Sequence, residues 1–195
     1  MSSPKMLATN GQLIIVDSDG ITKWGISDND PLRASYGVFL PSVAPSATPT
    51  DLIVIQGSAT KTVRIRSVVM TGTATAAANI IMSLVRRSTA NTGGTFAPQT
   101  LVNRDKRDDA PTCVVNLYTA NPTSLGTSLG AADGGRLNIA PAANGGIDRL
   151  ALQYSWLNDK APILVGITDF IAINLAGIAW PAGGLLDLAI MLSED

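Results

Sequence analysis

From residue 52 to the C-terminus the chain is a succession of short apolar segments, several alternating apolar and polar residues one by one, cut by Gly, Pro and Asn. A period of two places successive side chains on opposite faces of an extended chain, so each segment can bury one face only by lying in a sheet. The segments are 52–57 (LIVIQG), 61–70 (KTVRIRSVVM), 78–88 (ANIIMSLVRRS), 112–120 (TCVVNLYTA), 136–140 (RLNIA), 147–156 (IDRLALQYSW), 162–167 (PILVGI), 169–177 (DFIAINLAG) and 184–194 (GLLDLAIMLSE). The expected inward sets are Val63, Ile65 and Val69; Ile80, Met82 and Leu84; Cys113, Val115 and Leu117; Leu150, Leu152, Tyr154 and Trp156; and Leu186, Leu188, Ile190 and Leu192. The one hint of helical turn lies near 124–132. Glutamate occurs once, as Glu194, and lysine is rare, so good surface-helix formers are scarce, while 18 Gly and 11 Pro supply turns. This predicts an all-β domain: a sandwich, jelly roll or barrel.

The first 50 residues read differently. Residues 1–12 are polar and unpatterned and predict an extended arm. The runs 13–16 and 21–24 flank DSDG (17–20), where Asp favours a turn and Gly20 can take positive φ, so this stretch predicts a small hairpin. SDNDP (27–31) predicts another turn and 34–40 a strand. PSVAPSATPTD (41–51) is rich in proline, which cannot donate to a sheet ladder, and reads as a linker. The expected organisation is an arm, hairpin and linker over 1–50 and the β domain over 51–195.

Composition excludes several functions. With 46% hydrophobic and 15% charged residues the chain is not a disordered one. Net charge is −1 and the cations are scattered, so no basic stripe offers an electrostatic grip on nucleic acid, and sequence-specific binding to it is not expected. There is no histidine, which removes Ser-His-Asp and Cys-His catalysis and the common zinc sites; neither metal nor cofactor is expected. Cys113 is the only cysteine, so no intramolecular disulfide forms, and its place in the apolar run CVVNLY reads as a small core hydrophobe. Asp105, Asp108, Asp109, Asp133, Asp148 and Asp169 are the candidates for a hydrolytic carboxylate pair, but most fall in predicted turns, where Asp caps the local backbone. DSDG begins like a calcium loop yet lacks the later oxygen ligands and the closing Glu. The most apolar stretch, Asp169 to Asp187, is too short for a membrane helix and contains Asn174, Pro181 and Gly183-Gly184. MSSPKMLATNGQ has no apolar h-region, so synthesis in the cytoplasm is expected. A surface so weakly charged suits a protein partly covered by partners.

Three stretches stand out. LVRRSTANTGGTF (84–96) pairs two arginines with two glycines, but a phosphate loop needs a lysine after its second glycine and a helix behind it; here Thr95, Phe96, Ala97 and Pro98 follow. It predicts a strand end and a glycine turn, with Arg86 and Arg87 on the rim of the domain. RDKRDDAP (104–111) is the densest charge cluster, near neutral in sum, and reads as a solvated loop. GIAWPAGG (177–184) puts Trp180 in a loop. Arg86, Arg87, Arg104, Lys106, Arg107 and Trp180 are the candidate contacts to another subunit or a partner protein.

Taken together, LIVIQGSATKTVRIRSV, LVRRSTANTGGTF, NLYTANPTSLGTSLGA and INLAGIAWPAGGLLDLAIMLSED resemble a group of tailed-bacteriophage and prophage structural proteins described as virion, decoration or head-fibre proteins. The resemblance covers nearly all of residues 36–195. It implies a virion part made in the bacterial host cytoplasm: a jelly-roll-like β-sandwich that assembles as a homo-oligomer, a trimer by analogy, and binds the major capsid protein or other virion proteins. It brings no catalytic residues. The alternative is a receptor- or glycan-binding module of a tail or fibre, for which Trp180 is the best placed of the three tryptophans, Trp24, Trp156 and Trp180.

Overall fold

The computed structural model describes residues 5–9, 12–16, 23–26, 33–141, 148–154 and 161–195, with side chains from residue 33 onward. The chain divides into two compact units, Met1–Arg33 and Ala34–Asp195. In the first, β1 (Lys5–Thr9), β2 (Gln12–Val16) and β3 (Lys23–Ile26) form an antiparallel sheet in that order. The predicted hairpin is the β2–β3 pair, with Val16 opposite Lys23. The predicted arm is corrected: Lys5–Thr9 is a strand paired with β2, with Lys5 opposite Val16 and Thr9 opposite Gln12. The DSDG and SDNDP turns lie outside the described residues.

The second unit holds β4 (Ala34–Val43), β5 (Asp51–Gln56), β6 (Thr62–Thr73), β7 (Ala78–Arg87), β8 (Thr95–Pro98), β9 (Val102–Asn103), β10 (Val114–Ala120), β11 (Ser128–Ile139), β12 (Arg149–Gln153), β13 (Ile163–Val165), β14 (Phe170–Asn174) and β15 (Leu185–Glu194). Sheet I runs β11-β7-β14-β5-β10-β8; sheet II runs β12-β6-β15-β4-β9, with β13 also on β6. All the pairings are antiparallel. Setting aside the inserted β8, β9 and β10, the long strands give β11-β7-β14-β5 over β12-β6-β15-β4, a jelly-roll-like order in which β4, β5, β6 and β7 step from sheet to sheet. The expected domain start at residue 51 moves to residue 34: β4 pairs along β15 and buries Tyr36, Val38 and Leu40, so it belongs to the sandwich. The linker expected over 41–51 shortens to residues 44–50, because Pro41 to Val43 continue β4 and Asp51 opens β5, and it joins two strands of one core.

That core lies between the sheets. Ile53, Ile55, Ile80, Met82, Leu84, Ile171 and Ile173 of sheet I meet Val63, Ile65, Val68, Met70, Leu186, Leu188, Ile190 and Leu192 of sheet II, none more than 2% exposed. Each such side chain contributes roughly 1.5–3 kcal/mol of transfer free energy, which is what orders the strands. The inward sets expected for β7 and β15 are the observed ones. In β6 the expectation fails halfway: Val68 and Met70 are buried, not Val69. The register against β15 shifts between Met191 and Leu192, and this bulge inverts the alternation beyond Ile65. The helical turn expected near 124–132 is also corrected: β11 begins at Ser128 and carries bulges at Ser128/Gly130 and Ala131/Asp133, so its pattern of two is broken. Trp156 lies outside the described residues. Leu152 is buried, while Leu150 and Tyr154 pack against the core.

Candidate functional site

The strand end at LVRR puts its two arginines on opposite faces of sheet I. Arg86 shares the inward parity of Leu84. Its Nη1 donates to Asp169 Oδ1 and Oδ2 at 2.9 and 2.7 Å, and its Nη2 donates to the Ile163 carbonyl. Ile163 belongs to β13, alongside sheet II, so Arg86 ties the two sheets at one end of the sandwich. Arg87 points the other way and is 4% exposed. Its Nε and Nη2 donate to Asp51 Oδ2 and Oδ1 at 2.6 and 2.7 Å, a bidentate pair, and its Nη1 donates to the Gly126 carbonyl at 2.7 Å. Asp51 also accepts from Asn91 Nδ2 at 2.9 Å and Asn174 Nδ2 at 2.7 Å, so every lone-pair direction of the buried carboxylate is used.

What buries this pair is a flap. Residues 88–94 leave β7 at the end where Arg87 faces Phe170, and enter β8 beside Ala120 at the other end; residues 121–127 return the opposite way to Ser128. The two segments pair as they cross: Thr92 and Ser124 exchange backbone bonds of 2.9 and 3.1 Å, and Ser88 N donates to Thr127 O at 3.0 Å. Beneath them Val54, Tyr118, Phe170 and Ala172 form a second cluster on the outer face of sheet I. Glycine is required where the segments touch: a Cβ on Gly126 would stand 1.9 Å from Thr89 O, and one on Gly94, at φ 73°, 2.5 Å from Asn121 O. STANTGGT and ANPTSLGT are therefore the two halves of one element.

The remaining candidates are placed as follows. Arg104 is exposed, its Nη1 3.3 Å from Met191 Sδ. Lys106 is exposed. Arg107 is exposed and folded back on Asp105 at 2.6 Å; these hydrogen bonds hold the Asp105 carboxyl down to about 2. Trp180 packs against the core and its Nε1 donates to Gly184 O at 2.9 Å, covering the end of the sandwich. Arg86 and Arg87, expected on the rim as contacts to a neighbour, are instead bound to carboxylates of their own chain. Burial of the outer face under the flap withdraws Arg87 from solvent.

The aspartates weighed as candidates for a hydrolytic pair are each engaged in structure. Asp108 Oδ2 accepts from Ser35 N, Asp133 Oδ2 from Tyr154 OH, Asp148 from Asn138 N and Arg149 N, Asp169 from Arg86 and Val165 N, and Asp109 lies 3.8 Å from Lys61 Nζ. A hollow of about 740 Å³ beside Ala77–Asn79 and Asn138–Pro141 has as its polar lining Asn79, Asn138 and Asp148, which bond to one another or to Arg136 and Arg149. Among the described residues no group of three His, Cys, Asp or Glu side chains is placed to hold a metal, and no helix is long and apolar enough to cross a membrane.

Sequence reasoning did not assign partners to Asp51 or Glu194. Glu194 is buried, and it accepts from Thr112 N and Oγ1 and from Cys113 N at 2.8–3.2 Å, with Lys61 Nζ 3.8 Å away. The single glutamate of the chain thus sews the last strand to β10. Burial, then Glu194, pushes the Cys113 thiol well above the usual thiol range, so it is a core group and a poor nucleophile. No family model matches the chain, and no curated protein or solved structure matches it.

Proposed function

We propose that this protein is a structural subunit of a tailed-phage particle, a capsid decoration (cement) or head-fibre protein that attaches to the head through non-covalent contacts with the major capsid protein or its neighbours. The observation that carries the reading is where the resembling motifs fall. RRSTANTGG and YTANPTSLGT build the flap over sheet I, and WPAGG closes the end of the sandwich around Trp180 and Gly184. The resemblance therefore rests on residues that shape a rigid surface, as suits a protein whose work is binding. The weak surface charge and the single, buried cysteine fit the same reading. The alternative, a glycan-binding fibre module, draws no support from Trp180, whose indole is spent on the core and on Gly184.

Mass spectrometry and electron microscopy of purified particles test the proposal. The protein is expected in many copies on the head. A particle that lacks it, or carries a few copies at the tail tip, overturns the head assignment.

A further inference from the structure

The two outer faces of the sandwich are treated differently by the chain. That of sheet I is covered by the flap. That of sheet II carries no covering segment among the described residues of its own unit, yet its centre is apolar. The register defines it row by row. Phe39, Ala189, Val69 and Ala151 stand side by side across β4, β15, β6 and β12. The next row on this face holds Val102, Gly37 and Met191, and ends in Ser67 and Gln153. Phe39 and Val102 are each 64% exposed, and Gly37, Ala189 and Ala151 leave the surface flat between them. Apolar residues thus occupy one whole row and the β9–β4–β15 part of the next, where an exposed sheet face would alternate to polar.

We propose that this face pairs with the same face of a second copy, about a two-fold axis lying along the Phe39–Ala189–Val69–Ala151 row. Charge placement selects both the partner and the axis. Asp187 lies two residues to one side of the row, leaning toward β4, where its Oδ1 accepts from Ser42 N at 2.7 Å. The Arg104 guanidinium lies two residues to the other side, against Met191 Sδ. Rotation about the row sets Arg104 of each copy over Asp187 of the other, twice by symmetry, with Phe39 meeting Phe39 and Arg149 meeting Gln153. The other in-plane axis, along the strands, would set Asp187 on Asp187 and carry Arg104 toward Arg66, and like charges so placed oppose association. Five strands span about 19 Å and ten residues about 33 Å, so the face projects to roughly 600 Å², a small interface beside the ~800 Å² per partner of a standard one. An apolar centre inside a charged rim is the usual anatomy of such a contact.

This pairing stands independently of any place on a phage head, and it implies a two-fold contact where the family resemblance implies a trimer. Sedimentation equilibrium of the full chain tests it. Dimer is expected at about 50 µM, where a micromolar pair is populated. Arg104→Glu and Asp187→Lys should each weaken it by about tenfold or more, and the double variant should restore it. Because Asp187 also accepts from Ser42 N, Phe39→Glu provides a second disruption at an exposed side chain; it should give monomer with an unchanged melting temperature. A monomeric wild type, a trimer, or a dimer indifferent to Phe39→Glu overturns the proposal, as does a double variant no tighter than the singles.

Discussion

Arg87 and Asp51 show why one residue can matter more than a motif. A buried ion pair is a weak contributor relative to an apolar replacement of both members, but removal of one member leaves an uncompensated charge. Asp51→Asn or Arg87→Met is therefore expected to cost about 3–5 kcal/mol in urea unfolding. The double change should cost less than the sum, because neither charge is then stranded. Tyr36 makes a prediction about pH. Burial first, then the carboxylates led by Glu194, push its hydroxyl up to about 12 from 10.0, while the OH donates to Asp109 O at 3.0 Å. The folded state holds this proton more tightly than the unfolded state does, so the contribution is complete below pH 10 and is lost as pH rises toward 12. Stability measured across that interval should fall, and Tyr36→Phe should flatten the fall. Cys113 adds a loss of the same sign, starting from its ordinary value near 9.0. An alkaline slope unaltered by Tyr36→Phe would assign it to other groups.

At the scale of elements, the flap is the feature to test. It covers few side chains, and its hold on sheet I runs through Arg87, Asn91 and Gly126: Asn91 Oδ1 accepts from Gly126 N at 2.8 Å while Asn91 Nδ2 reaches Asp51. Gly126→Ala drives a methyl into the Thr89 carbonyl and is expected to destabilise by roughly 1–3 kcal/mol. Hydrogen exchange should accelerate over 88–94 and 121–127 and leave the strands of sheet II protected. Uniform acceleration would mean that the flap and the sandwich unfold as one unit. The bulges in β6 and β11 are the other lesson at this scale. Each inserts one residue against a partner strand and shifts the alternation by one, for the rest of the strand in β6 and between the two bulges in β11. That is why Val68 replaces Val69 in the core, and why β11 has no periodic signature in SLGAADGG.

For the whole molecule, the contrast among the described residues is between a self-covered sheet I and an open sheet II. If the head assignment holds, deleting residues 1–12 should lower occupancy on purified heads while the melting of the sandwich is unchanged; full occupancy after the deletion would place attachment elsewhere. Occupancy on particles and pairing in solution are separate measurements, so either can fail without the other.

The all-β class, the inward faces of β7 and β15 and the core role of Cys113 were legible in the residues, because a period of two and a lack of helix formers act locally. Arg86 and Arg87 were legible as the end of a strand but not in their roles. Their carboxylates, Asp169 and Asp51, stand 83 and 36 positions away, and only strand order brings them within hydrogen-bond reach. Residues 34–40 read as a strand beside a linker, and only pairing with β15 made them part of the sandwich. Glu194 reads in the sequence as the end of the last strand, and only the folded sheets bring it to Thr112 and Cys113. The sequence by itself determined the kind of secondary structure, through side-chain period and backbone stereochemistry. Tertiary structure decided which charges are buried, which glycines are obligatory and which sheet face stays open, because these depend on long-range pairings that no local pattern encodes.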